Sequence, residues 1–230
     1  MKEAKAMKIC SVNAARVQNI NVDGRVFSTG MFKTPVQGAV AVGELGLATD
    51  AQADLVNHGG LSKAVYAFSN DQYAFWAAEL GRDDLAPGFF GENLTVVGLD
   101  ETCIAVGDRF HAGGATLEVS QPRVPCSKLG LRAGDLGFVR QFLKQARPGT
   151  YLRVITQGDV QTGDHLEPVQ ASATRDDPDL AIACIYSAVF DKSMPAERRL
   201  EILGKNLELG TNSDEWSDQL RAARQVLSRD

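Results

Sequence analysis

Residues 106–130 read VGDRFHAGGATLEVSQPRVPCSKLG, and their pattern predicts a β-hairpin that runs into a rigid loop. The runs RFHAG at 109–113 and ATLEVSQ at 115–121 are strand-like, and two adjacent glycines separate them. Paired glycines between such runs are typical of a tight hairpin turn, because glycine readily adopts the positive φ angles that the turn requires. The expected fold is therefore built around antiparallel β-structure.

Short strands of the same kind recur on both sides of this hairpin. Residues 7–56 alternate between strand-like runs and Gly, Asp or Pro turns. Later strands are predicted at 63–69, 94–98, 150–156 and 163–170. Helices are predicted at 70–81 and 135–147, where apolar residues recur at helical spacing. Many short strands with a few inserted helices predict a mainly β fold, a closed or nearly closed β-barrel.

The sequence pattern changes near residue 172. The stretch SATRDDPDL at 172–180 is polar, and the segments after it have helical patterns. We therefore expect a barrel domain at 1–171 and a small three-helix domain at 172–230. Because a three-helix unit of this size is marginal alone, it should pack on the barrel of the same chain or on a second copy, which would make a homodimer.

Composition narrows the class of protein. The chain has 230 residues, of which 44% are hydrophobic and 23% charged, and its formal net charge is −5. This balance is that of a soluble globular protein, and the acidic charge argues against a nucleic-acid partner. No apolar run approaches the roughly 20 residues of a membrane helix, and the start MKEAKAMKIC lacks the apolar core of a secretory signal. We expect a cytoplasmic protein with no membrane partner.

The four cysteines differ in their surroundings. Three of them have no feature that suggests reactivity: Cys10 and Cys184 lie in apolar runs, and Cys103 has no basic neighbour. Cys126 instead follows two prolines, with Arg123 three positions before it and Lys128 two after it. Nearby cations favour the thiolate, the form that acts as a nucleophile or metal ligand. The alternative is a buried structural cysteine in a rigid loop.

Four fragments, taken in order, resemble one known family. They are NHGGLSKAVYAF at 57–68, GFFGENLTVVG at 88–98, VGDRF at 106–110 and SQPRVPCSKL at 120–129. In this order they resemble the MOSC domain family, named for the C-terminal domain of molybdenum-cofactor sulfurases. The three-helix tail is similar to that of a subgroup that adds such a unit to the barrel. The resemblance implies a β-barrel that holds a molybdenum–pterin cofactor.

The resemblance also implies roles for the site. Cys126 would be both the protein ligand to molybdenum and the catalytic residue. The implied reaction is the reduction of N-hydroxylated small molecules, such as hydroxylamino-purines, to the corresponding amines. Because no flavin, haem or iron–sulfur motif is visible, electrons would come from a separate reductase. The alternative function is a non-catalytic carrier or binding module for the cofactor or its sulfur.

Six residues are candidates for binding the cofactor: His58, Gly59, Gly60, Lys63, Asn93 and Arg123. The paired glycines can bring backbone N–H groups close to a phosphate, and Arg123 can bind phosphate with two donors. Lys63 and His58 add charge or donors, and Asn93 offers both amide functions to a pterin edge. The competing interpretation is ordinary: a tight turn with a surface histidine, a turn asparagine and a solvated lysine.

Overall fold

The computed structural model describes residues 6–22, 24–54, 59–170, 177–209 and 212–228. Its strands are β1 (Met7–Ala14), β2 (Gln18–Val22), β3 (Arg25–Thr29), β4 (Thr34–Pro35), β5 (Val40–Gly43), β6 (Gly46–Leu47), β7 (Val65–Ser69), β8 (Leu94–Val97), β9 (Arg109–Ala112), β10 (Ala115–Pro122), β11 (Thr150–Thr156), β12 (Gly158–Val160) and β13 (His165–Gln170). Its α-helices are α1 (Tyr73–Leu80), α2 (Ser127–Ala133), α3 (Phe138–Lys144), α4 (Ile182–Phe190), α5 (Ala196–Glu208) and α6 (Asp214–Leu227).

Seven of the strands form a closed barrel. Around the barrel the order is β1, β8, β7, β11, β10, β9 and β13, and β13 pairs again with β1. Met7 lies opposite Leu166 where the barrel closes. The pairs are antiparallel except for β7 and β8, which run parallel and are joined by a crossover that contains α1. The structure confirms the predicted mainly β barrel with inserted helices.

The hairpin predicted from residues 109–121 is confirmed as β9 and β10, with Ala112 opposite Ala115. Strand β10 is buried along almost its whole length, because the barrel lies on one face and α4 packs on the other. A small sheet of β12, β5 and β6 contacts the barrel at β10, and β2 and β3 form a separate hairpin. The end of β10 leads directly into the loop that carries Cys126.

The helices around this loop depart from the prediction. Helix α1 ends at the predicted Gly81, whose left-handed φ of 62° suits glycine, while α3 is shorter than the predicted 135–147. Helix α2, directly after Cys126, was not predicted because Gly130 interrupts its helical pattern. A Cβ at Gly130 would lie 2.9 Å from the Cα atom of Leu136, so only glycine allows α2 and the following turn to pack this closely.

Two hydrophobic clusters stabilise the fold. The first fills the barrel and continues into the C-terminal helices, so that Leu117 of β10 and Trp216 of α6 belong to one core. The second is aromatic and lies between α1 and α3, where the rings of Trp76 and Phe142 stack at 4.9 Å. The predicted domain boundary at 171 and 172 falls outside the described residues. Within the described part of the chain, no helix is long and apolar enough to cross a bilayer.

Candidate functional site

Cys126 lies where two open cavities meet. One, the inner cleft, encloses about 580 Å³, and the other, the outer groove, about 830 Å³. The residues that line both are Asp54, Lys63, Cys126, Lys128 and Tyr151. The inner cleft extends into the barrel side of the molecule, while the outer groove passes along α6. A molecule bound at Cys126 would therefore contact the barrel and the last helix together.

Local structure fixes the backbone of Cys126. Its extended conformation, with φ −118° and ψ 171°, ends the loop and begins α2. The backbone N–H of Leu129 donates to the Cys126 carbonyl at 3.0 Å, and the fully buried Leu129 side chain anchors the helix. The thiol therefore projects from a rigid strand-to-helix junction, as the two prolines in the sequence predict.

Arg123 forms the charged floor of the inner cleft. Arg123 is only 4% exposed. Its guanidinium carbon lies 5.4 Å from the centre of the Tyr66 ring and 5.6 Å from that of Phe142. Burial disfavours its charge, but electrostatic interactions with Tyr66 and Cys126 outweigh this, and the pKa of Arg123 stays above its usual value. Among the described residues, its buried Nη1 has no hydrogen-bond partner. A buried cation with an unused donor is matched to an anionic ligand.

Lys63 lies at the end of a single 3₁₀ turn, Leu61–Lys63, directly before β7. The Ser120 hydroxyl donates to the Ser62 carbonyl at 2.5 Å, which ties this turn to β10 beside the Cys126 loop. The Lys63 ammonium forms an ion pair at 2.5 Å with Glu215, which α6 supplies. The C-terminal helices thus contribute a charged side chain to the site, which the sequence did not indicate.

The sequence also showed no sign of a buried ion pair in the lining of the inner cleft. Lys33 pairs with Asp50, and both side chains are 7% exposed. Burial lowers the pKa of Lys33, although the Asp50 charge opposes the shift. Asn93 donates to Asp50 at 2.9 Å and accepts from the Tyr66 backbone N–H at 3.1 Å. Its amide is therefore engaged within the protein, and it positions Asp50; direct contact between Asn93 and a pterin stays a prediction.

The structure brings four predicted site residues to the inner cleft: Lys63, Asn93, Arg123 and Cys126. Gly59 and Gly60 lie outside its lining, just before the turn that carries Lys63. His58 falls outside the described residues. The site residues that sequence reasoning missed are Lys33, Asp50, Tyr151 and Glu215. Of these, only Tyr151 carried a usable signal, since it begins a strand predicted to lie in the barrel.

The barrel, the Cys126 loop and the cleft define the class of protein. The chain belongs to the MOSC domain family, and residues 54–167 match that domain. It is similar to the uncharacterized protein YflK of Bacillus subtilis (strain 168), with 40% identity over 159 residues, 69% of this chain and 72% of YflK. It is also similar to Protein YiiM of Escherichia coli (strain K12), with 37% identity over 145 residues, 61% of this chain and 64% of YiiM.

The likeness extends to the whole fold. The crystal structure of YiiM from Geobacillus stearothermophilus matches with a TM-score of 0.76 and 28% identity, over 95% of this chain and 99% of that one. A protein named Reductase from Gibberella moniliformis (strain M3125 / FGSC 7600) is 31% identical over 159 residues. That match covers 68% of this chain and 28% of the named protein. In sequence and in whole-chain fold, the chain is therefore similar to YiiM proteins.

Proposed function

We propose that this protein binds a molybdenum–pterin cofactor at Cys126 and reduces N-hydroxylated compounds to amines. The observation that carries the proposal is the buried Arg123, whose Nη1 has no partner among the described residues, in the same cleft as Cys126. A thiol suited to a soft metal and a cation suited to a phosphate or another anion line one cavity. This is the combination that an anionic metal cofactor requires.

The side chains that line the inner cleft fit such a group in their chemistry. Across the ranges that the structure describes, no three His, Cys, Asp or Glu side chains cluster as metal ligands. A metal at Cys126 would therefore take most of its ligands from a non-protein group, as a pterin dithiolene provides.

The chain's own residues would divide the work as follows. Cys126 would hold the metal, and Arg123, Lys63 and Lys128 would neutralise the anionic parts of the cofactor. The bound cofactor would supply two-electron redox chemistry at an oxygen atom. Asn93 would act indirectly, because its amide holds Asp50 in place opposite Lys33.

The reaction must be balanced in protons and electrons. Cleaving an N–OH bond to give N–H and water consumes two electrons and two protons. Burial lowers the pKa of the Lys33 ammonium, so its Nζ holds a proton that it would give up more readily than a solvated lysine does. The second proton would come from water at the open side of the cleft. The electrons would come from a separate reductase protein.

The names of relatives support the redox class. One of them is called Reductase, and the segment similar to this chain makes up 28% of that protein. The match with YiiM over nearly the whole fold supports a shared type of site. Reduction of an N-hydroxylated substrate is proposed on the resemblance together with the chemistry of the cleft.

The test is to purify the full chain from a host that makes the molybdenum cofactor and to measure bound molybdenum by elemental analysis. Turnover of a hydroxylamino-purine with a reduced viologen dye as electron donor should follow the molybdenum content. Stoichiometric molybdenum without turnover would support the carrier function instead. Protein that never holds molybdenum would overturn both assignments.

A further inference from the structure

We infer that Glu215 is an internal competitor for the anion that binds at Lys63, so that the last helix sets how tightly the cleft holds anions. The inference deepens the proposed function and rests on it only for the identity of the natural anion, a cofactor phosphate. The competition itself depends on charges that this chain supplies.

The two partners of this ion pair differ in exposure. The Lys63 side chain is 6% exposed, whereas that of Glu215 is 55% exposed, and their charged atoms are 2.5 Å apart. Lys63 is therefore confined to the wall of the cleft, while the Glu215 carboxylate can rotate into water. An anion that takes its place keeps the buried Lys63 ammonium paired. When an anion arrives at Lys63, the carboxylate of Glu215 is the group that has to move.

The backbone that carries Glu215 is firmly held. The Ser213 hydroxyl donates to Gln121 of β10 at 2.8 Å and also accepts from the Trp216 backbone N–H at 3.1 Å, which caps α6. Trp216 is fully buried. The carboxylate therefore stays close to Lys63 when it is displaced, and its negative charge remains beside the bound anion.

The charges in the cleft explain why the Lys63–Glu215 pair affects anion binding. Four cations, Lys33, Lys63, Arg123 and Lys128, line the inner cleft together with the carboxylates of Asp50 and Asp54. Lys33 is paired with Asp50, while Lys63 and Lys128 also face the outer groove. An incoming anion meets Lys63 already paired, so it gains only the difference between its own contact and the one that it replaces. A ligand with one negative charge gains little by this exchange, whereas a phosphate that also reaches Arg123 gains a second charged contact.

The experiment uses the full chain without cofactor and inorganic phosphate as the probe, with affinity measured by calorimetry at low ionic strength. Glu215→Gln keeps the shape of the side chain and removes its charge, so phosphate should bind about fivefold more tightly than to the wild type. Glu201→Gln is the matched control, because Glu201 is 54% exposed and pairs with Arg198 at 2.6 Å on α5. It should leave phosphate affinity unchanged.

A second measurement uses the wild type, so its result does not depend on whether the variant keeps α6 docked. In the wild type, the side-chain carboxyl carbon of Glu215 should shift in the NMR spectrum as phosphate is added, because the carboxylate leaves Lys63. Equal or weaker phosphate binding by Glu215→Gln with α6 still docked, or an unmoved Glu215 signal in phosphate-saturated wild type, would overturn the inference. Absence of phosphate binding in both proteins would overturn it as well.

The outcome is separable from that of the proposed function. A chain that shows the phosphate difference but never retains molybdenum contradicts the cofactor assignment and leaves Glu215 as a competitor. A chain that holds molybdenum and turns over, but shows no phosphate difference, keeps its function and loses this inference.

Discussion

The two walls of the cleft are built differently. On the barrel side, Arg123 is 4% exposed and its guanidinium lies over two aromatic rings. On the helix side, Glu215 is 55% exposed and its charge can reach water by a simple rotation. The barrel wall holds its charges in one arrangement, and the helix wall presents a charge that can change position. The barrel wall is therefore suited to a fixed contact, and the helix wall to a contact that a ligand can displace.

The strongest test of the barrel wall is Cys126→Ala. If the thiol is the metal ligand, molybdenum content and turnover should fall to background, while the free energy of unfolding changes by no more than about 0.5 kcal/mol. Metal analysis and urea unfolding measure the two effects. Cys184→Ala is the control: its side chain packs against the core shared with the helices, so it should lose about 1 kcal/mol of stability and keep molybdenum. Stoichiometric molybdenum in Cys126→Ala would refute the assignment.

The helix wall depends on the anchoring of α6. Trp216→Ala should cost about 3–5 kcal/mol, because a fully buried indole is removed from the core that joins helices and barrel. Val226→Ala on the same helix, where the residue is 62% exposed, should change stability by less than about 0.5 kcal/mol. Urea unfolding of both variants checks the prediction. Equal losses in the two variants would mean that α6 is not held by its buried face.

A third test addresses a contact between the barrel domain and the C-terminal helices, where Glu101 lies. Its side chain accepts from Gln72 and from the Gly149 N–H, and its carbonyl accepts from Ala183 at the start of α4. Burial raises the pKa of Glu101 to about 7. The folded protein therefore binds a proton that the unfolded chain releases near pH 4.5, and stability falls as pH rises between these two values.

The expected loss from this one group is about 3 kcal/mol between pH 4.5 and pH 7. Glu101→Gln cannot ionise, so the variant should lose less stability than the wild type over this range. Urea unfolding at pH 5 and pH 7.5 measures the difference between the two proteins. The same pH dependence in both would show that Glu101 does not titrate in this way.

A fourth test concerns the planar guanidinium of Arg123. Arg123→Lys should weaken phosphate or cofactor binding about tenfold, because an ammonium lacks the planar pair of donors and the stacking on Tyr66 and Phe142. Arg109→Lys, at a residue whose side chain is 50% exposed and which pairs with Glu118, is the control and should bind as the wild type does. Calorimetry with inorganic phosphate measures both, and unchanged binding in Arg123→Lys removes Arg123 from the site.

Local sequence patterns were enough to predict much of the fold. The β9–β10 hairpin, helix α1 and the three C-terminal helices all follow from spacing, turn residues and caps within short windows of sequence. Helix α2 did not, because Gly130 lowers its helical propensity and is explained only by the close approach of Leu136. Propensity reports on one segment, and this glycine serves a contact between two.

The candidate site divides in the same way. Cys126 and Arg123 could be found because their chemistry and their rigid loop lie within a few residues of each other. The Lys33–Asp50 pair and the Lys63–Glu215 pair could not, since each looks like a solvated charge in its own segment. Lys63 and Glu215 are 152 positions apart in the sequence. Only the closed barrel and the docked helix bring them together.

Barrel closure also governs the order of events during synthesis. Because β1 pairs with both β8 and β13, the first strand keeps one open edge until the last barrel strand has left the ribosome. An open strand edge is a template for pairing with other chains, and such long-range closure is slow. The nascent chain therefore stays exposed to misassembly through most of its translation.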